Sequence, residues 1–173
     1  MEMLTLMTDP KLGIPNEPDN KGMLPIHLAV LTDNYEAVAH LLKLQSVNGE
    51  SDVNRGQAED FTPVHYACHR GNLEILQLLL DSGGNLNVVS KKGVTCLHLA
   101  CGSGKLEMAR FLIEVQQFSP EVVTIISGSK PIHMAAKSGD IEIMKYLINK
   151  CNCNPVDIDN NQEDCLTLAI KEK

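Results

Sequence analysis

A six-residue phrase returns along this chain at an almost constant interval, and that return limits the possible folds more than any other feature. It reads Leu24-Pro25-Ile26-His27-Leu28-Ala29, Thr62-Pro63-Val64-His65-Tyr66-Ala67, Thr95-Cys96-Leu97-His98-Leu99-Ala100 and Lys130-Pro131-Ile132-His133-Met134-Ala135, with a degraded copy at Asp164-Cys165-Leu166-Thr167-Leu168-Ala169. Positions 27, 65, 98, 133 and 167 are spaced by 38, 33, 35 and 34 residues. A second phrase follows at a fixed offset: Gly71-Asn72-Leu73-Glu74-Ile75, Gly104-Lys105-Leu106-Glu107-Met108 and Gly139-Asp140-Ile141-Glu142-Ile143. The first copy carries Asp33 where these carry Gly. Two coupled signals at one period describe an array of like units that cannot bury their apolar faces alone and so stack.

The phrase and its period resemble the ankyrin repeat, whose signature is T-P-L-H-x-A at about 33 residues. The resemblance covers residues 20–173 and implies an all-α solenoid of helix–turn–helix units with projecting β-turn fingers. The residues themselves supply reasons for such units. Thr62 and Thr95 stand where an N-cap hydroxyl satisfies free amides of a first helix. Pro25, Pro63 and Pro131 suit the first helical position, where no N–H is needed. Gly71, Gly104 and Gly139 end that helix in a left-handed cap. Runs such as Leu73–Leu80 and Ile141–Ile148 then place apolar residues at helical spacing, with Glu, Gln and Lys outside.

Composition narrows the function classes. Three Phe, three Tyr and no Trp leave a core of Leu, Ile, Val, Ala and Met, which suits closely packed helices. The 15 Lys and Arg face 22 Asp and Glu, a net charge of -7 that argues against a general nucleic-acid binder. No apolar run approaches the roughly 20 residues of a membrane span, and the start, Met-Glu-Met-Leu-Thr-Leu-Met, lacks the basic region of a signal peptide. The expected setting is the cytoplasm, with the nucleus as the other option, and the expected state is a monomer. Residues 1–19 are expected to cap the array through Met3, Leu4, Leu6 and Met7. At the other end Lys173 falls within the first helix of the fifth copy, so Leu166, Leu168 and Ile170 are expected to be exposed. On that ground the chain reads as a fragment of a longer protein, or as one whose remainder folds separately.

Four of the six histidines share one repeat position. Stacked units lie roughly 10 Å apart, too far to share a metal with bonds near 2 Å. The resemblance implies instead that each ring bridges the backbone of its own turn and of the adjacent repeat. Cys68 and Cys101 follow the signature Ala, and Cys96 and Cys165 replace its Pro, so these four read as small buried hydrophobes. Cys151 and Cys153 form a C-x-C without the second ligand pair that zinc requires. There is no G-x-S-x-G, P-loop or H-E-x-x-H phrase. Neither catalysis nor a cofactor or metal is expected.

Function then falls to the surface. The resemblance implies contacts on the finger tips and the concave face of the first helices. Carried over repeat by repeat, these positions give Met23, Leu31, Phe61, His69, Arg70, Lys91, Lys92, Val94, Ile126 and Lys137. They combine an apolar centre with cations in an otherwise acidic chain, while Asp60 takes the place of a finger Gly. The expectation is a protein-binding module for an acidic protein or peptide with a bulky apolar anchor. The alternative is a regulatory or tethering segment of a larger enzyme, channel or microbial effector.

Overall fold

The computed structural model describes residues 17–48 and 52–171. The capping helix expected within residues 1–10 lies outside them. Nine α-helices occur among the described residues, as four pairs and a final first helix. The first helices are α1 (Pro25–Leu31), α3 (Pro63–Arg70), α5 (Cys96–Gly102), α7 (Pro131–Ser138) and α9 (Cys165–Lys171). The second helices are α2 (Tyr35–Asn48), α4 (Leu73–Asp81), α6 (Leu106–Arg110) and α8 (Ile141–Asn149). Each first helix packs on its own second helix where one follows, and on the first helix of the next repeat. The described backbone contains no extended sheet, only an isolated bridge between Val89 and Thr95. This is the all-α repeat solenoid that the resemblance implies.

The core is a continuous row of signature residues. Ile26, Val64, Leu97 and Ile132 occupy one repeat position and are all buried, as are Val30, Cys68, Cys101 and Ala136 four residues on. Burying a Leu or Ile side chain stabilises by about 2 kcal/mol, and these residues find cover only because neighbouring repeats supply it. The second helices are one-sided: Ile75, Leu76 and Leu79 of α4 are buried while Glu74 and Gln77 face solvent. In the fifth copy the outcome is mixed. Leu168 is buried against the stack, contrary to the expectation of exposure, because α9 lays that face on α7. Leu166 and Ile170 are 69% and 64% exposed.

The helix ends follow the sequence with local differences. Pro25, Pro63 and Pro131 open their helices at the first position. Gly71 and Gly139 are left-handed C-caps, whereas α5 ends on Ser103 with Gly104 one residue later at φ 68°. In the first repeat Asp33 accepts the same left-handed conformation, φ 54°. Second helices begin on a side-chain cap: Asn34, Asn72 and Asp140 accept from the amides of Ala37, Ile75 and Ile143 at 2.9–3.0 Å. Lys105 offers no such acceptor, and α6 is the shortest second helix. It passes into a π-helical turn over Phe111–Val115, closed by the Gln116 amide on the Phe111 carbonyl at 3.1 Å.

Candidate functional site

The fingers precede the first helices and are built from one repeated device. A side chain closes each turn: Asp19 accepts from the amides of Lys21 and Met23, Gln57 from Glu59, Ser90 from Lys92 and Val94, Thr124 from Ser129, and Asp159 from Asn161 and Glu163. Adjacent fingers are then tied by backbone bonds. The Ala58 amide donates to Lys21, Lys91 to Glu59, Ile125 to Lys92 and Asn160 to Ser127, at 2.8–3.1 Å. Contact is close enough that a Cβ on Gly93 would lie 2.7 Å from the Ile125 nitrogen. Asp60, in place of Gly, adopts φ 63° and keeps its finger in register.

The histidine ladder locks fingers to helices. Each Nδ1 accepts from the backbone amide three residues earlier: His27 from Leu24, His65 from Thr62, His98 from Thr95 and His133 from Lys130, at 2.9–3.2 Å. Nδ1 is therefore unprotonated and Nε2 carries the hydrogen. It points at the next finger, meeting the Val94 carbonyl from His65 at 3.3 Å, Ser129 from His98 at 3.0 Å and Asp157 from His133 at 2.8 Å. Nε2 of His27 has no hydrogen-bond partner among the described residues. Burial pushes the pKa of His65 down to about 4 and lowers those of His98 and His27, because a protonated ring would lose its acceptor and its neutrality together. The ring is the device shared by four repeats, as the resemblance implies. Thr95 adds a hydroxyl bond to the amide of the third helical residue, at 3.5 Å.

The concave positions named from the sequence fall into two groups. His69, Arg70, Lys91, Lys92 and Ile126 are exposed, whereas Met23, Leu31, Phe61, Val94 and Lys137 are half-buried. Phe61 stands edge-on to His65 with centroids 5.4 Å apart and leans on Tyr66 at 6.4 Å, so part of its ring serves the repeat's own packing. Several cations have partners inside the molecule. Arg70 grips Asp33 of the preceding repeat with Nη2 at 2.6 Å and Nε at 2.9 Å, Lys92 faces Glu59 at 3.7 Å, and Lys91 donates to the Ala58 carbonyl at 2.6 Å. Asp33 was visible in the sequence only as a substitute for Gly; its charge on this face appears once the repeats are stacked. Ser103 hydrogen-bonds His69 across one repeat, and burial lowers the His69 pKa, helped by Arg70 and Lys105.

Cys68, Cys96, Cys101 and Cys165 take the buried places the repeat assigns them. Cys68, Cys96, Cys101, Cys153 and Cys165 are buried and Cys151 is half-buried. Burial raises the thiol pKa values of Cys68, Cys101, Cys151, Cys153 and Cys165, that of Cys153 to about 12 and that of Cys165 to about 11. The thiolate, which is the nucleophilic and metal-binding form, is disfavoured at each raised site. Among the described residues no group of three or more His, Cys, Asp or Glu is placed to hold a metal ion. No described helix is long and apolar enough to cross a membrane.

A stack of helix–turn–helix units with hydrogen-bonded fingers and a histidine ladder defines a class, the finger-bearing helical repeat solenoid. A family model of three ankyrin repeats matches residues 44–122, and that of a single ankyrin repeat matches residues 127–161. The chain belongs to the ankyrin repeat family. It is 33% identical over 101 residues to a probable 26S proteasome regulatory subunit p28 of Saccharomyces cerevisiae, a match covering 57% of this chain and 43% of that protein. It is 31% identical over 62 residues to the human scaffold protein ILK, covering 36% and 14%, and 30% identical over 79 residues to human ankyrin repeat and SOCS box protein 3, covering 46% and 15%. The chain thus spans less than half the length of each of these relatives.

Proposed function

We propose that the array is a protein-binding module without chemistry of its own, presenting its concave and finger face to a partner protein or peptide. The observation that carries this is the finger ladder: backbone bonds from Lys21 through Asn160 hold successive tips in register before any partner arrives. A preformed surface costs little backbone rearrangement on binding. Names of relatives support the same role, one being a regulatory subunit and another a scaffold protein. Because those matches cover 14–43% of the relatives, a regulatory or tethering part in a larger assembly is the second reading.

The partner we infer is acidic and carries a bulky apolar residue. Lys21 and Lys91 are exposed and Lys137 is half-exposed on this side, and Ile126, 65% exposed, is a stronger candidate anchor contact than Phe61, whose ring is committed to His65 and Tyr66. The ion pairs of Arg70 and Lys92 moderate the positive field without removing it. Panning a displayed random-peptide library against the chain tests this. Acidic peptides with an apolar residue should be enriched, and Ile126→Ala should weaken them by about 2 kcal/mol, in the hot-spot range. Lys91→Glu with Lys137→Glu should mainly slow their association. Enriched peptides that are basic, or that bind these variants as well as the parent, would refute the proposal.

A further inference from the structure

Asn54 and Asn87 occupy one repeat position, each eleven residues before the signature histidine. The Asn54 carboxamide clasps the loop that leaves α4: it donates to the Gly83 carbonyl at 2.8 Å and accepts from the Asn85 amide at 2.6 Å. That clasp ties the second finger to the loop. One repeat later the Asn87 side chain has no hydrogen-bond partner among the described residues, although its backbone amide is held by the Asn85 side chain at 2.9 Å.

The loop that Asn87 would clasp follows the π-helical turn. Gln117 takes up the left-handed conformation of Gly83, φ 58° against 89°, so Gln117 and Ser119 answer to Gly83 and Asn85. After α4 the chain is turned by a bond from the Gly84 amide to the Leu79 carbonyl, at 2.8 Å; here it is turned by Phe118 on Leu112, at 2.9 Å and spanning one residue more. The Gln117 carbonyl and the Ser119 amide, counterparts of the two groups that Asn54 holds, likewise have no partner among the described residues. Asn87, Gln117 and Ser119 instead line an open cavity of about 310 Å³, together with the apolar side chains of Val88, Phe118 and Val122. None of the described residues lining it is charged, and none belongs to the concave and finger set discussed above. The volume is that of a small-ligand site at the lower end of the usual range.

We propose that this cavity receives one residue of an uncharged partner segment, an apolar side chain with a peptide group on either side. The inventory of open groups selects it. Asn87 and Ser119 bring N–H donors, Asn87 and Gln117 bring carbonyl acceptors, and a residue between two peptide groups brings two carbonyls and two N–H groups to match them. A molecule with a single carboxamide leaves part of that set unmet. The apolar side chain is covered by Val88, Phe118 and Val122. A charged group would give up its hydration here and find no counter-ion in the lining. The guest thus makes with Asn87 the pair of bonds that the chain's own loop makes with Asn54 one repeat earlier.

The probe is N-acetyl-leucine N-methylamide, titrated into the isotope-labelled full chain and followed by amide NMR shifts. Saturable shifts at Asn87, Gln117 and Ser119 are expected, with a dissociation constant on the order of 1 mM for a ligand of this size. Two comparison compounds are N-acetyl-leucine methyl ester, which lacks one N–H, and 4-methylpentanamide, which has one carboxamide. Each should bind at least about fivefold more weakly. Asn87→Ala should weaken the probe by at least about the same factor and leave the melting temperature unchanged. Asn54→Ala should do the reverse, lowering the melting temperature and leaving the affinity as it was. Lys91→Glu with Lys137→Glu should bind the probe as the parent does, which separates this result from the fate of the concave-face proposal. No saturable shift at about 20 mM probe, or equal binding by either comparison compound or by Asn87→Ala, would overturn the assignment. So would a loss of melting temperature in Asn87→Ala as large as that in Asn54→Ala, since Asn87 would then have its partner within the chain.

Discussion

His98 joins three parts of the molecule through one ring: its own helix, its own turn through Thr95, and the next finger through Ser129. Removing the ring strands two buried backbone groups, so His98→Ala should cost about 1–3 kcal/mol in urea unfolding. His27→Ala should fall at the low end of that range, because its Nε2 has no partner among the described residues to strand. A loss for His27→Ala equal to or larger than that for His98→Ala would show that the second bond is not what the ring contributes. The same rings set a pH response. His65 is neutral when folded down to about pH 4, whereas unfolded histidine protonates near 6.5. Above pH 6.5 both states are neutral and this group's contribution is fully present. As pH falls from 6.5 to 4 the unfolded state takes up a proton that the folded state refuses, and stability drops by roughly 3 kcal/mol from this residue alone. Unfolding curves at pH 7 and pH 4.5 measure the loss, and His65→Gln should flatten it; an equal slope in that variant would assign it to other groups.

Among the second helices, α6 differs from its counterparts at both ends: it starts without a side-chain cap and passes into the π-helical turn over Phe111–Val115. Where α2, α4 and α8 start on Asn34, Asn72 and Asp140, α6 starts on Lys105, without a side-chain cap and with a positive charge at the electropositive end of the helix. Lys105→Asn should therefore stabilise the protein by about 1 kcal/mol, the usual value of a capping acceptor. A melting temperature no higher than the parent's would mean that the contact of the Lys105 side chain with Gly71 outweighs the missing cap. The turns show the opposite case, in which a poor residue type is tolerated. Asp33 and Asp60 occupy left-handed positions at φ 54° and 63°, an acceptable role for Asp but a strained one for most side chains.

Across the whole array, stability is a sum of repeats and their interfaces, so identical residues at identical repeat positions need not be worth the same. Leu97 and Leu166 make the comparison directly, the first wholly buried and the second 69% exposed. Leu97→Ala should cost about 2–5 kcal/mol and Leu166→Ala within about 0.5 kcal/mol. Amide exchange should show the same gradient, slowest in α3 and α5 and fastest after about Pro155. Comparable losses for the two substitutions, or equal protection of α5 and α9, would reveal cover over the fifth copy that the described residues do not contain.

The period and the signature phrase determine a stack of like units, the starts and stops of their helices and the burial of Cys68, Cys96, Cys101 and Cys165, while the fingers and the shared role of the histidines follow from the resemblance to the ankyrin repeat. These are local or periodic properties: a helix start, a left-handed turn and an apolar stripe each depend on a few neighbouring residues and recur when those residues recur. Stacking decided the rest, because it joins side chains that lie far apart in the chain. It set Asp33 against Arg70 across 37 residues and turned a presumed free cation into half of an ion pair. It drew Phe61 onto its own repeat's rings and buried Leu168 while leaving Leu166 outside. It also left Val89, Val123 and Ile158 exposed, at 55%, 51% and 55%. A repeat pattern states what each unit contains, whereas which charges cancel and which apolar groups remain uncovered follows from the contact between units.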